Sequence, residues 1–517
     1  MKRTLNIRFT SDSHGYLYPT TYADSADRPM GLMKLAAAFP HDGNTLIIDG
    51  GDTIQGSPMT NLYQRLSAEE KAACLTSDAY GTHPFAAMMN LAGYHFVTLG
   101  NHDFNNGLDA LADYLNNLDA LCLCCNIRDK EGRLPIAPYA IHELENGLRI
   151  GLVGACTHHV TIWEHPETVN QLVIEEPVPI LKGILEEIKP LCDVTILIYH
   201  GGFECDLDTG RRLTQSTENE ACRICEELDF DLLLTGHQHI PLAGRQYQNS
   251  YLVQPAYRAL HACAVSVTVH DNGSKTIESK LLHAAEQAMP EAAALLAPLE
   301  VRVQQWLDTP AGHLDIALDA EEHLHSAVHG SPLANFINTV QLAASGAQIS
   351  ACALPNEFKG LPKTVTVRDV VSTYIYTNTL VVLEMHRAQL KQYMERSAEY
   401  FDHDAEGKLI ISDEFLRPKV QHYNYDYFSG VDYVIDTTRP RGERVTGIRL
   451  NGREMDENET VSVCINSYRS SGAGDYDFLV GQKVIADIQT DVADAMIEYI
   501  VKHPQIHVDT HKYCTVI

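Results

Sequence analysis

From residue 3 to about 270, short apolar runs alternate with longer stretches of helical spacing. LNIRF, TLIID, HFVTLG, RIGLVGA, VTILIY and DLLLTG are bounded by polar or glycine positions and predict buried strands. THPFAAMMNLA, LDALADYLNNL and VPILKGILEEIKPL predict helices between them. Strands that alternate with helices imply an α/β architecture. The stretch HAAEQAMPEAAALLAPLEVRVQQWLD, from about 283 to 308, is rich in Ala, Glu and Leu at helical spacing, and Pro310 and Gly312 punctuate its end. The domain junction is expected there. Beyond it, helices (PLANFINTVQLAA, HRAQLKQYMERSAEYF, TDVADAMIEYIVK) mix with strands (TLVVLEM, VDYVID, TGIRLNG, ETVSVCI), which predicts a separate α+β domain. The expected division is 1–282, a helical linker or hinge at 283–312, and 313–517.

Composition narrows this picture. A chain of 517 residues exceeds what one hydrophobic core supports, and 45% apolar residues suffice to fill two. The N-terminus, MKRTLNIRFTSDSHG, alternates polar and apolar residues with no apolar h-region, so no export signal is expected, and no stretch reaches the roughly 18 apolar residues of a membrane span. Thirteen scattered cysteines, many in apolar runs such as LCLCC, suit buried thiols in the cytoplasm. Cys222 and Cys225 form a lone CxxC within helical spacing and are expected to be unpaired helix thiols. A net charge of -29 excludes binding of long nucleic acids through a basic surface. A small phosphate ester remains compatible, because bound metal ions reverse the local field. No protein partner and no membrane association are expected.

The chemistry lies at the ends of the expected strands. Asp12 and His14 follow NIRFTS, Asp49 and Asp52 follow TLII, and Asn101, His102 and Asp103 follow FVTLG. His200 follows TILIY, and His237 and His239 follow LLLTG. In an α/β sheet these positions converge on one edge. Imidazoles and carboxylates suit zinc, manganese, iron or cobalt, a carboxylate can bridge two ions, and calcium would not recruit so many histidines. Two ions about 3.5 to 4 Å apart can activate a shared water as hydroxide while neutralising phosphoryl oxygens. Gly51, Gly100 and Gly236 allow the sharp turns such a site needs.

A single DxH or HxH in a chain with 25 histidines carries little weight. The ordered set does more: DSH at 12–14, GD at 51–52, GNHD at 100–103, His200 and GHQH at 236–239 resemble the ladder of the calcineurin-like metallophosphoesterases. The resemblance implies a four-layer α-β-β-α sandwich. It implies one ion held by Asp12, His14, Asp52 and His239, and a second held by Asp52, Asn101, His200 and His237, with Asp52 bridging. His102 would contact the substrate phosphate and stabilise or protonate the leaving oxygen. The carboxylate that orients this histidine in such nucleotidases often lies three residues on, where this chain has Asn105, which leaves Asp103 as the nearest substitute. Asp49 is expected to support the site or its turn, and His158 and His159 to have a structural or rim role.

The C-terminal blocks at 378–401, 423–445 and 465–479 resemble the nucleotide-recognition domain of the bacterial 5′-nucleotidase and 2′,3′-cyclic-nucleotide 2′-phosphodiesterase family. That resemblance implies a base stacked between Tyr425 and Tyr468, with Asp475 at the ribose and Asn356 in the base-side loop. It also implies an active site between the domains, with the junction as a hinge. The NGGGIR block of 5′-nucleotidases is replaced by LPNEFKG at 354–360, where Lys359 is the only cation, and STYIYTNTL points to the cyclic-phosphodiesterase/3′-nucleotidase branch. The expected function is hydrolysis of 2′,3′-cyclic nucleotides or 3′-nucleotides. The alternatives are a 5′-nucleotidase, a nucleotide-sugar pyrophosphatase, a sulfur-ester hydrolase, or a non-catalytic nucleotide or metal sensor.

Overall fold

The computed structural model describes residues 2–517 apart from 25, 165, 214–216, 377, 418, 489 and 504, and comprises two compact units, Met1–Gln304 and Gln305–Ile517. The division falls inside the helix Pro290–Leu307, which starts later than the 283–308 stretch suggested.

The first unit is built on two sheets. One has seven strands in the order Lys275–His283, His261–Val269, Arg3–Thr10, Thr45–Asp49, Phe96–Val97, Leu121–Leu123 and Ile136–Ala137. The other has six, in the order Leu242–Tyr247, Ser250–Gln254, Leu232–Thr235, Val194–His200, Arg149–Cys156 and Tyr139–Glu143. Leu5, Ile7, Phe9 and Ile48 of the first sheet share one core with Leu152, Ile196, Ile198 and Leu234 of the second. On the far side of the second sheet, Val178, Leu181, Leu185 and Ile188 of the helix Pro177–Ile188 pack on Val153, Leu197 and Tyr199. Neighbours in the first sheet run parallel from Arg3–Thr10 through Leu121–Leu123. Parallel strands need crossovers, and here these carry helices, among them Pro84–Leu91 between Thr45–Asp49 and Phe96–Val97 and Gly107–Asn116 between Phe96–Val97 and Leu121–Leu123. The result is the four-layer α/β arrangement.

This topology positions the site. Thr10 pairs with Asp49, Tyr199 with Thr235, and His200 with Cys156, so the parallel strands end level with one another. The turns that follow carry the polar residues to one edge.

In the second unit a five-stranded sheet runs in the order Asp426–Ser429, Ile349–Ala353, Thr460–Asn466, Leu380–His386 and Lys483–Ile488. The helix Pro332–Ser345, capped by the Ser331 hydroxyl, packs into its core through Phe336 and Ile337. Thr377, in the STYIYTNTL block, lies outside the described residues.

The thiol expectation needs one correction. Cys222 is bonded to Cys205 in a disulfide, while Cys225 is a buried free thiol. The pairing joins the loop after Val194–His200 to the start of the helix Ala221–Glu227, a proximity that CxxC spacing does not reveal.

Candidate metal centre

Asp12, His14, Asp52, His237 and His239 all adopt left-handed backbone, with φ of 55°, 49°, 57°, 71° and 61°. They are five of the eleven non-glycine residues with positive φ among those described. Such conformations cost of order 1 kcal/mol or more each and persist where surroundings over-determine them, so strain is concentrated on the predicted ligands. The turns are locked by backbone bonds from Asp12 N to Gly51 O and from His14 N to Asp52 O, at 2.9 and 2.8 Å. Glycine is obligatory at two places. A Cβ on Gly51 would lie 2.3 Å from Gly100 N, and one on Gly100 would lie 2.1 Å from Asp52 Oδ1.

The donor atoms converge. One ligand atom each from Asp12, His14 and His239 lies within 4.8 Å of the others, and the same holds for Asp12, Asp52 and His200. His239 Nε2 is 3.3 Å from Asp12 Oδ1, and His200 Nε2 is 3.2 Å from Asp52 Oδ2. Asn101 Oδ1 lies 2.9 Å from His237 Nδ1.

Tautomers decide whether these residues fit divalent ions. His14 Nδ1 donates to Gln55 O and His200 Nδ1 donates to Gly50 O, so each turns its Nε2 into the site. His14 Nε2 then faces His239 Nε2 at 3.1 Å. His200 Nε2 is fully buried and has no hydrogen-bond partner although Asp52 is beside it. His237 Nε2 donates to Glu218 Oε1 at 2.8 Å, which leaves its Nδ1 lone pair against the Asn101 carbonyl oxygen. Ring nitrogens and carboxylate oxygens that converge from His14, His239, His200, Asp12 and Asp52 form a donor set that fits divalent metal ions.

The same crowding displaces proton affinities. Burial drives His14 down to about 4. Burial also opposes charge on His200, but the Asp52 and Asp12 carboxylates override it and push that ring up to about 10, so without a metal ion its Nε2 carries a proton that a bound cation would replace. Burial pushes Asp49 up to about 7 against hydrogen bonds from Thr10, Gly51 and Thr53, so Asp49 braces the turn.

Beside the donors, His102 N donates to Asp52 Oδ1 at 2.8 Å, and its ring lies 5.5 Å from that of His14. Asp103 does not orient this ring. Its carboxylate is buried and accepts from the backbone N–H groups of Asp52, Thr53, Ile54 and Gly100 at 2.8 to 3.2 Å. It holds the Asp52 turn, and the sheer density of donors on it leaves no oxygen for His102. Asn105 is the partner instead, with Oδ1 2.8 Å from His102 Nδ1.

Several supporting residues carried no signal in the sequence. Glu218 on His237, Trp163 of the short helix Val160–Trp163 stacked on the same ring at 5.4 Å, and Tyr257 stacked on His239 at 4.7 Å come from outside the strand-end motifs. His158 and His159 share the Thr217 hydroxyl at 3.2 Å, and His159 packs on Trp163, so they sit at the rim outside the ligands.

In the second unit Tyr425 is not available for stacking. It is 2% exposed and packed among Tyr400, Phe401 and Tyr427 as the strand Asp426–Ser429 begins. The partly exposed tyrosine of that block is Tyr423, in the 3₁₀ turn His422–Asn424. Buried Arg469 donates to Tyr423 O and places its guanidinium 5.8 Å from the partly exposed Tyr468 ring, so one residue ties the two together. Asn356 accepts from His422 N and donates to Val420 O, bracing that loop. Asp475 is exposed, with φ 65°, and accepts from Arg396. Lys359 is paired with Asp369 at 3.2 Å.

Known proteins share this organisation. The sequence model of the calcineurin-like phosphoesterases matches residues 5–241, and that of the 5′-nucleotidase C-terminal domain matches 311–481. A structure from Staphylococcus aureus, solved in complex with α-ketoglutarate and provisionally assigned as a 5′-nucleotidase, is 30% identical. It superposes with a TM-score of 0.89 over 99% of this chain and 100% of its own. The 2′,3′-cyclic-nucleotide 2′-phosphodiesterase/3′-nucleotidase of Salmonella typhimurium is 24% identical over 90% of this chain and 81% of its own length. The trifunctional nucleotide phosphoesterase protein YfkN of Bacillus subtilis is 22% identical over 97% of this chain, which spans only 38% of that protein. Two matching domains in the same order, and a near end-to-end structural match, establish that the chain belongs to the calcineurin-like phosphoesterases that carry a C-terminal 5′-nucleotidase domain.

Proposed function

We propose that the protein hydrolyses nucleotide phosphoesters, 2′,3′-cyclic nucleotides and 3′-nucleotides in particular, with two divalent ions of zinc, manganese, iron or cobalt. The observation that carries this reading is the set of inward-facing ring nitrogens on His14, His200 and His237 beside the buried Asp12 and Asp52 carboxylates. Asp12, His14, Asp52 and His239 would hold one ion, and Asp52, Asn101, His200 and His237 would hold the other. When bound, the ions supply positive charge to the phosphoryl oxygens and lower the pKa of a water. The chain's own residues do the rest. The His102 N–H bond to Asp52 fixes the turn on which the imidazole sits, Nδ1 is held by Asn105, and Nε2 serves the leaving oxygen as proton donor. Tyr423 and Tyr468 contact the base, and Asp475 the ribose.

The named Salmonella relative supports the cyclic-nucleotide branch, as does the 354–360 loop, whose single cation is engaged by Asp369. The Staphylococcus aureus structure favours a second reading, a 5′-nucleotidase. Phosphate release from a panel of 2′,3′-cyclic, 3′- and 5′-nucleotides in zinc, manganese and cobalt distinguishes the two. Turnover of none of them would overturn both. Cytoplasmic residence, proposed from the eleven free thiols, is tested by cell fractionation together with thiol trapping of Cys205 and Cys222.

A further inference from the structure

His102 Nδ1 and Asn105 Oδ1 are 2.8 Å apart, and Asn105 Nδ2 donates to Glu164 Oε2 at 2.9 Å. Glu164 is 7% exposed and closes the short helix Val160–Trp163, far along the chain from the GNHD turn. An amide is nearly symmetric in shape but not in chemistry. Either end of Asn105 could face the imidazole, and each choice stabilises a different tautomer. The Glu164 carboxylate oxygen accepts the amide N–H, which turns the carbonyl oxygen toward His102. His102 then keeps a proton on Nδ1, so the proton that the imidazolium passes to a leaving oxygen is the one on Nε2, and Nδ1–H stays bonded to Asn105 throughout.

We propose that Glu164 is a positioning residue for the hydrolysis, holding the Nδ1 proton and the ring orientation of His102 through the Asn105 amide. The inference rests on the reading of His102 given above. It also accounts for an amide at position 105, since the negative charge that orients the histidine stands one residue further out. Trp163, the neighbour of Glu164, stacks on His237, so this one segment braces both His102 and a metal ligand. A Glu164 substitution could therefore act through packing alone, and the test must separate the two effects.

The separating experiment exchanges the two groups. Steady-state kinetics on phenyl phosphate and 4-nitrophenyl phosphate are measured for the metal-loaded full chain and for Glu164→Gln, Glu164→Ala, Asn105→Asp, Asn105→Asp/Glu164→Gln and His102→Ala. Both Glu164 variants should lower kcat about tenfold with KM changed less than about twofold, and more on phenyl phosphate, whose leaving oxygen depends more on protonation. Asn105→Asp alone should also be impaired, because it sets two carboxylates face to face. In the double variant the aspartate accepts from His102 and from the glutamine amide, so kcat should return to within about twofold of the parent. A structural role predicts the opposite, a double variant at least as damaged as either single one, and that result would overturn the proposal. So would parental kcat in both Glu164 variants while His102→Ala is impaired. If His102→Ala itself retained parental turnover on both esters, the assignment of His102 would fail and this inference with it.

Discussion

His14 Nε2 and His239 Nε2 lie 3.1 Å apart, and His14 has already committed its other ring nitrogen to the Gln55 carbonyl. His14 therefore presents its Nε2 to the neighbouring ring and to Asp12, where a cation would take donors from all three. Chelation should abolish phosphate release. It should also lower the thermal midpoint by roughly 5 °C or more, since ligand at about 100 times its Kd stabilises by about 2.7 kcal/mol. His14→Ala should reduce metal content by about one ion per chain in elemental analysis, and an unchanged content would contradict the ligand assignment.

The approach of Gly100 to Asp52 makes a second prediction. A methyl group in Gly100→Ala would lie 2.1 Å from Asp52 Oδ1 and 2.4 Å from Asp52 N, so the carboxylate must move. Displacements of about 1 Å in such centres cost about a hundredfold, and kcat should fall by that order while circular dichroism stays close to that of the parent.

The tyrosines of the YNYDYF block should separate by phenotype. Tyr425→Ala empties a buried site and should destabilise the second unit by about 3 to 5 kcal/mol in urea unfolding. Tyr423→Ala should leave stability nearly unchanged and raise KM for nucleotides by about 5- to 100-fold, the worth of about 1 to 3 kcal/mol of base stacking. Hydrolysis of 4-nitrophenyl phosphate should be spared. Equal loss on both substrates would remove Tyr423 from base recognition.

Asp49 provides a pH dependence with a definite sign. Burial raises its folded-state pKa to about 7, well above the value of an unfolded aspartate. The folded chain holds this proton where the unfolded chain has released it, so its stabilising contribution is complete below about pH 4 and is lost as pH rises through about 7. In unfolding measurements across that window on metal-free protein, Asp49→Asn should remove this part of the decline. A variant with the parental slope would show that Asp49 does not titrate there.

Much of the metal centre was legible because each ligand directly follows an apolar run that can only be a buried strand. Once parallel pairing sets the strand ends level, Asp12, Asp52, His200 and His239 reach one edge without further instruction. The second unit was legible in its elements, including Leu380–His386 and Thr460–Asn466, but not in its exposure pattern. Tyr423 and Tyr425 are two positions apart in one aromatic block, and nothing local says that the strand starting at Asp426 draws Tyr425 into the core while the preceding turn leaves Tyr423 outside.

The sequence by itself determined the two domains, the strand-end ligands and the chemistry their side chains can perform, since periodicity and residue type are local properties. Only the tertiary structure decided which polar groups meet. Whether Asp103 serves the histidine or the Asp52 turn, whether Cys222 is free or joined to Cys205, and which residue holds His102 all depend on pairs far apart along the chain. Close packing settles such pairs by satisfying each buried donor and acceptor at once, a condition that no single segment can express.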